Sequence, residues 1–292
     1  MTRLRYLLEY AAARGMLCML DRMDLAASER LATRIAGFWF LLHGMRRRVA
    51  IDNIIRSGIT SDPKEAQRIA RDSFRHFAVL VVESLKSGEC FNEQNWKDRV
   101  RVDINPETMR LLEDPRQGII LVSGHFGNWE IAAQLLSYLK PVAGITRPLD
   151  NPYTNRLMES RKPRNRFRLI PKHDTDALRF LKILRNGEML ALLNDQHARR
   201  EDPLVDFFGR PAHTHTSPAL LHLVTRTPLC FGYCLRTGPM QYTVHAGPPL
   251  HFAATGNREA DIRTILEALN RLLEDAIRLH PEQYLWAHRR WK

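Results

Sequence analysis

His125 and Glu130, in the run HFGNWE (125–130), place a base and an acid five positions apart between two apolar segments. Upstream is a short, β-branched run closed by glycines, 118–123 (GIILVS), which predicts a buried strand. Downstream, 131–139 is apolar at helical spacing. An imidazole at the end of a buried strand, with a carboxylate in the first turn of the next helix, suits a base-plus-orienter pair for acyl or proton transfer. The geometry requires a turn. On one continuous helix, residues five apart point about 500° apart, so the side chains meet only if the helix begins near Gly127–Asn128. Asn128 then caps the helix and Glu130 sits where its dipole favours an anion. Backbone amides at Gly127 and Asn128 are expected to bind a developing oxyanion.

Spacing alone selects nothing. With 12 His and 32 acidic residues, roughly one His-x4-acid pair arises by chance. A second pair, His197 and Asp202, lies in the charged run HARRED without a strand-to-helix context. The flanks therefore select His125. Other candidates follow from placement. Arg147 ends an expected strand and precedes Pro148, where a guanidinium could clamp a phosphate. Asp195 and Gln196 follow another strand end, and Arg156 opens a basic run that continues through Arg161, Lys162, Arg164, Arg166, Arg168 and Lys172. This run is expected to bind anions. Arg147, Gly127, Asn128, Asp195, Gln196 and Arg156 are thus the expected substrate contacts, His125 and Glu130 the catalytic pair.

Several chemistries find no pattern. His213 and His215 with His197 and Asp195 do not complete a metal set, and no metal is expected. Ser123 lies in VSGHF, which is not a Gly-x-Ser-x-Gly nucleophile elbow. Direct transfer is therefore favoured over a covalent intermediate. The aromatics do not interleave with the basic residues in a nucleic-acid-binding pattern, so no nucleic acid is expected.

The elements that must position these residues can be read in outline. The chain has 292 residues, 44% of them hydrophobic, and a net charge of +12. It can bury a sizeable core and should meet a polyanionic partner or surface. Residues 1–95 read as an N-terminal helical region with helices over 3–20, 26–55 and 62–88, the last capped by Asp62 and started by Pro63. Residues 96–292 read as an α/β domain. Its strands are expected at 100–104, 118–123, 142–145, 168–170, 189–194, 229–235 and 241–245. Helices are expected at 107–113, 129–139, 152–162, 175–185, 217–225 and 258–279. This alternation predicts a largely parallel central sheet with helices on both faces. Ligands bind such sheets beyond the carboxyl ends of the strands, where His125, Arg147 and the 194–196 turn would share one cleft.

The segment 4–20 is interrupted by Arg5, Glu9 and Arg14 and does not read as a cleavable signal. The longest apolar run, 35–45 (IAGFWFLLHGM), is too short to span a bilayer but is flanked by Arg34 and Arg46–Arg48. It fits a helix lying on a membrane surface. Cys18, Cys90, Cys230 and Cys234 are expected to be buried, reduced thiols.

The block GHFGNWE resembles the His-x4-Asp/Glu signature of the glycerolipid-type acyltransferases, and in its detailed form the lipid A biosynthesis (late) acyltransferases. RRRVAIDN (46–53) and DSFRHF (72–77) upstream are similar to that family. So are RPLDNPYTNR (147–156), NDQ (194–196), FFGRP (207–211) and PEQYLWAHRRWK (281–292) downstream, in the family's order. The resemblance implies acyl transfer from a thioester to a hydroxyl, with His125 as general base and Glu130 orienting the imidazole. It implies acyl carrier protein as donor, with acyl-CoA the alternative, and a lipid A precursor as the anionic glycolipid acceptor. The expected location is the cytoplasmic face of a bacterial inner membrane, peripheral or monotopic. No cofactor is expected, because a thioester is already activated. A phospholipid, glycosylated phospholipid or amino-lipid acceptor stays open. So does a non-catalytic, basic membrane-surface binding protein.

Overall fold

The computed structural model describes residues 2–161, 166–172 and 176–291. Lys162 and Arg164 of the basic run lie outside these residues, as do the expected end of helix 152–162 and the start of helix 175–185. Four helices open the chain: α1 (Thr2–Arg22), α2 (Leu25–Leu42), α3 (Gly44–Arg56) and α4 (Pro63–Cys90). Asp62 caps α4 through the Lys64 amide, with Pro63 in the first turn, as the sequence predicts. The single helix expected over 26–55 is instead broken at His43, whose backbone leaves the helical region ahead of Gly44. The His43 ring stacks on Trp39.

α2 is turned in an unusual sense. Its buried stripe is Ser28, Ala32, Ala36 and Phe40, four residues apart, so small side chains let it lie close against α4. Its large apolar residues face outward: Phe38 is 64% exposed and Leu41 63%, alongside Ile35, Trp39 and Leu42. Leu4 and Leu8 of α1 and Met45 of α3 are likewise exposed. Among the described residues, no helix is long and apolar enough to cross a membrane.

The remainder alternates strands and helices. In chain order these are β1 (Val100–Ile104), α5 (Pro106–Glu113), β2 (Ile119–Ser123), α6 (Trp129–Leu136), β3 (Val142–Thr146), α7 (Pro152–Ser160), β4 (Phe167–Pro171), α8 (Ala177–Arg185) and β5 (Met189–Leu193). They continue with β6 (Leu204–Phe207), β7 (Arg210–His213), α9 (Ser217–Thr225), β8 (Leu229–Gly238), β9 (Gln241–Ala246) and α10 (Arg258–Leu279). Seven strands form one sheet in the order β1-β9-β8-β2-β5-β3-β4. Every neighbouring pair is parallel except β8 with β9, which are antiparallel and continuous through a tight turn.

Each face of the sheet carries its own core. Ile120 and Val122 of β2 pack with Leu190, Phe231 and the α10 residues Ile265, Leu266 and Ile277, a core that extends to Phe40, Ile54 and Ile69 of the N-terminal helices. The alternate residue Ile119 packs with Ile131 and Leu135 of α6 and with Met189 and Val244 on the opposite face. A central strand buried on both sides must read as an unbroken apolar run, and GIILVS does.

The β6–β7 hairpin is absent from the sequence expectations. Its two-residue turn, Phe208–Gly209, has positive φ at both positions, 56° and 69°. Asn-Gly or Asp-Gly usually marks such a turn, and Phe gives no such signal. Phe208 is held there by burial, by its amide donating to Glu274 Oε1 at 2.7 Å, and by the Arg278 guanidinium over its ring. Of the cysteines, Cys230 and Cys234 are buried thiols on β8, and Cys90 is partly buried. Cys18 is exposed, contrary to expectation, because α1 buries only Leu17 and Leu20.

Candidate active site

β2 and β5 are parallel neighbours in register, Ser123 opposite Leu193. His125 and Asp195 each lie two residues beyond that pair, so the two side chains leave adjacent strand ends at the same level. The Asn194 amide still donates to the Ser123 carbonyl at 3.0 Å, which keeps the ladder intact up to the site. The result is a close pair. His125 Nδ1 lies 2.8 Å from Asp195 Oδ1, and the His125 amide donates to Asp195 Oδ2 at 2.8 Å. One carboxylate therefore holds both the ring and its backbone.

This corrects the expected role of Glu130, because Asp195 is the group that orients the imidazole. Glu130 stands in the first turn of α6 and makes no hydrogen bond or ion pair among the described residues. Its charge still reaches the imidazole through space. Asp195, expected to touch substrate, is 3% exposed and binds both the ring and the backbone amide of His125. Strand adjacency produces the pair, and nothing in the sequence reveals which strand ends are neighbours when 70 residues separate the two groups.

With Nδ1–H donated to the carboxylate, Nε2 keeps its lone pair and points to Gln196, whose Nε2 lies 3.2 Å away. The edge of the Trp129 ring packs against the imidazole, with centroids 4.9 Å apart. Burial opposes protonation of His125, but the Asp195 charge and hydrogen bond, with a smaller contribution from Glu130, outweigh it and hold the imidazolium above the usual histidine range. Burial likewise works against the Asp195 carboxylate, yet His125 and the Arg290 guanidinium hold it below the ordinary carboxylate value.

The loop 125–128 is fixed from three sides. The Gly127 amide donates to the Gln283 carbonyl at 3.0 Å and the Asn128 amide to the Cys234 carbonyl at 2.7 Å. These two amides are thereby spent, and the expectation that they bind an oxyanion is overturned. Gly127 has φ of +61°, and a Cβ there would sit 2.0 Å from the Cys234 carbonyl oxygen, so only glycine fits. His76 of α4 binds the Gly127 carbonyl at 3.1 Å; burial pushes its own pKa down to about 4, so it acts there as a neutral N–H donor. Asn128 caps α6 as predicted, accepting from the Ile131 amide at 3.1 Å, and is fully buried rather than placed at a substrate surface. Among the described residues, no acceptor takes the amides of Trp129 and Glu130.

A cavity of about 370 Å³, with Trp129 in its wall, lies between α4, α6, α7 and the β3–β4 edge. Its apolar wall includes Leu80, Leu85, Ile131, Met158, Phe167 and Leu169, and its polar rim includes Glu130, Arg147, Glu159 and Arg161. Trp129 forms part of its wall and also touches His125. The expected common cleft is therefore only partly formed: Arg147 and Glu130 line the cavity, whereas His125 and Gln196 are not among its lining residues. Arg147 is largely exposed and pairs with Asp150 at 3.3 Å. Arg156 is exposed on α7, outside the cavity wall.

Three described members of the basic run are held in structural contacts. Arg161 pairs with Asp21, Arg166 donates to the Ser137 and Tyr138 carbonyls, and Arg168 pairs with Glu188. These contacts tie α1, α6 and the sheet together. The second histidine–acid pair is also separate in space from any such role: Asp202 accepts from the Arg199 amide and faces His215, while the His197 amide donates to His288.

Comparison with known proteins identifies the family. A family model described as bacterial lipid A biosynthesis acyltransferase matches residues 1–292. The chain is 28% identical over 201 residues to the lipid A biosynthesis lauroyltransferase of Escherichia coli (strain K12), covering 65% of this chain and 61% of that protein, less than two thirds of its length. It is 27% identical over 235 residues to a lipid A biosynthesis acyltransferase of Haemophilus influenzae, covering 78% and 71%. With the lipid A biosynthesis palmitoleoyltransferase of Escherichia coli (strain K12), identity is 23% over 270 residues, 90% of this chain and 84% of that one.

Proposed function

Since the chain belongs to the bacterial lipid A biosynthesis acyltransferase family, we propose that it transfers a fatty acyl chain from a thioester to a hydroxyl of a lipid A precursor. The observation that carries this reading is the Asp195–His125 pair, fixed at Nδ1 and left basic at Nε2. His125 Nε2 takes the proton from the acceptor hydroxyl as its oxygen attacks the thioester carbonyl. The tetrahedral oxyanion collapses, the C–S bond breaks, and the imidazolium returns its proton to the departing thiolate. Asp195 holds the ring in the productive tautomer and stabilises the imidazolium, the part a triad carboxylate plays. In this reading the Gln196 side-chain amide, beside His125 Nε2, and the unpaired first-turn amides of Trp129 and Glu130 are the donors offered to the developing oxyanion.

The cavity beside Trp129 receives the acyl chain along its apolar wall, with Arg147 at the rim for an anionic headgroup. Acyl carrier protein is the donor this reading favours, since the chain is strongly basic. The outward apolar residues of α1 and α2, flanked by Arg34 and Arg46–Arg48, suit a helix pair seated in the surface of an acidic bilayer. The reading places the protein at the cytoplasmic face of the inner membrane.

The test is mass spectrometry of lipid A from cells with and without the protein, followed by transfer assays with purified acyl carrier thioesters. An added acyl mass that disappears with His125→Ala supports the reading. A lipid A profile identical with and without the protein, and no transfer from any thioester, would sink it. The cavity makes a separate prediction. Leu169→Trp narrows the apolar wall, and each methylene it excludes is worth roughly tenfold or more in kcat/KM. The longest chain accepted by the wild type should lose at least that factor relative to a chain several carbons shorter. Equal losses for both lengths would place the acyl chain elsewhere.

A further inference from the structure

We propose that Asn53 and His288 are positioning residues for this transfer: through the segment 283–290 they set the separation of two loops, one carrying His125 and the other carrying Asp195 and Gln196. This rests on the reading of His125 as the base. The sheet brings those loops together only as far as the Asn194 amide on the Ser123 carbonyl, the last backbone hydrogen bond between β5 and β2. Beyond it both chains leave the ladder, and the segment 283–290 lies across them. It meets the first loop at successive residues. The Gln283 carbonyl takes the Gly127 amide at 3.0 Å, Tyr284 bridges Phe126, and the Leu285 amide donates to the His125 carbonyl at 3.2 Å. It meets the second loop through His288, whose Nε2 accepts the His197 amide at 3.0 Å. The next tether of that loop, the Ala198 amide on the His213 carbonyl, shares its acceptor with the Arg290 guanidinium.

Asn53 holds this segment near its middle. It sits in the last turn of α3, on the buried face with Ala50 and Ile54, and is 6% exposed. Its Nδ2 donates to the Trp286 and His288 carbonyls at 2.9 Å each, so both amide hydrogens are spent on residues two apart. Asparagine is a poor helix former, and a buried amide is costly unless its donors are met. Packing against the core asks only for an apolar side chain here, as at Ala50 and Ile54. What the amide adds is the clamp on 286 and 288. The other end of the segment is fixed separately. The Gln283 side chain donates to the Arg236 carbonyl and accepts the Arg236 amide, both at 3.0 Å, and Ser73 Oγ donates to the Tyr284 carbonyl at 2.6 Å.

The consequence is geometric. The 283–285 end is anchored to β8 and α4 and carries the His125 loop, whereas the 288 end is anchored by Asn53 and carries the Asp195–Gln196 loop. Two distances therefore depend on the stretch 286–288 keeping its place: His125 Nδ1 to Asp195 Oδ1, 2.8 Å, and His125 Nε2 to the Gln196 amide, 3.2 Å. A misplacement of about 1 Å at reacting groups costs on the order of 10²-fold in rate. His288 has to present a lone pair at Nε2, so its ring proton sits on Nδ1. A glutamine at 288 offers Oε1 at much the same reach. A leucine offers nothing.

The experiment uses the full chain with His288→Leu, His288→Gln and Asn53→Ala, each checked for folding by thermal melting. His288→Leu and Asn53→Ala should lower kcat by roughly 10- to 100-fold and leave KM within about threefold. His288→Gln should recover most of the loss. In a His125→Ala background the same substitutions should cost nothing further, because the group they misplace is already gone. The downfield proton signal of His125 Nδ1–H, assigned by its loss in His125→Gln, should move or broaden in His288→Leu and Asn53→Ala. A purely structural role predicts a lower melting temperature, with kcat and that signal unchanged in the folded protein. That outcome, or losses that multiply with His125→Ala, would overturn the proposal. If Asn53→Ala does not fold, the partly exposed His288 decides. A wild-type chain that transfers no acyl group would instead remove the functional reading, and the Nδ1–H signal would still test the geometry.

Discussion

Asp195→Asn is expected to lower kcat by roughly 10³- to 10⁴-fold, the scale found when the carboxylate of a catalytic triad becomes an amide. The substitution is nearly isosteric, so the side chain can still occupy the space beneath His125. What it loses is an acceptor for Nδ1–H. An amide that continues to receive the His125 backbone N–H through its oxygen turns its NH₂ towards the ring. That stabilises the tautomer with the proton on Nε2, where the lone pair is required. KM should change little, since Asp195 is buried and meets no substrate. Glu130→Gln provides the contrast. It removes a charge that acts on His125 through space and leaves the Asp195 hydrogen bond untouched. At the pH optimum the loss should be about tenfold or less, on the scale of one screened charge near the site. The acid limb of the profile should move to lower pH, because one anion that favours the imidazolium is gone. A Glu130→Gln loss larger than that of Asp195→Asn would return the orienting role to Glu130.

That comparison marks where the sequence was legible and where it was not. The strand–turn–helix context of His125 could be read because every signal in it is local: the apolar run of β2, the glycine at the turn and the Asn128 cap are contiguous. The seven sheet strands were legible for the same reason, the central ones as short apolar runs and the others as short β-branched or alternating segments between helical patterns. Asp195 is different. Its role depends on β5 lying beside β2, and α6, β3, α7, β4 and α8 intervene in the chain. A buried carboxylate after a strand carries no mark of the neighbour it faces. The oxyanion expectation failed for a related reason: the carbonyls that consume the Gly127 and Asn128 amides come from residues 283 and 234, far away in sequence. The β6–β7 hairpin escaped detection because its turn uses Phe208 in a left-handed conformation, an arrangement only tertiary packing sustains. The outward face of α2 was visible only as an apolar run. Which side of that run is buried is settled by the small residues that contact α4, and these look unremarkable in a helix.

His125→Ala should abolish the base altogether, with transfer reduced by about 10²- to 10⁴-fold and the fold retained. The retained fold follows from the contacts. The side chain is only partly buried, and the loop is held chiefly through backbone groups, which alanine preserves: the 125 amide to Asp195, the 125 carbonyl to the Leu285 amide, and the amides of Gly127 and Asn128 to their carbonyls. His197→Ala should leave turnover nearly intact, because that residue meets neither the dyad nor the cavity. The combination His125→Ala with Asp195→Asn carries the strongest information. If Asp195 acts only through the imidazole, removing it after the imidazole is gone costs nothing further, and the double variant is as slow as His125→Ala alone. Independent roles would multiply the two losses instead. A double variant slower than His125→Ala by a factor near the full Asp195→Asn effect would show Asp195 acting on substrate directly, and the site would have to be redrawn around it.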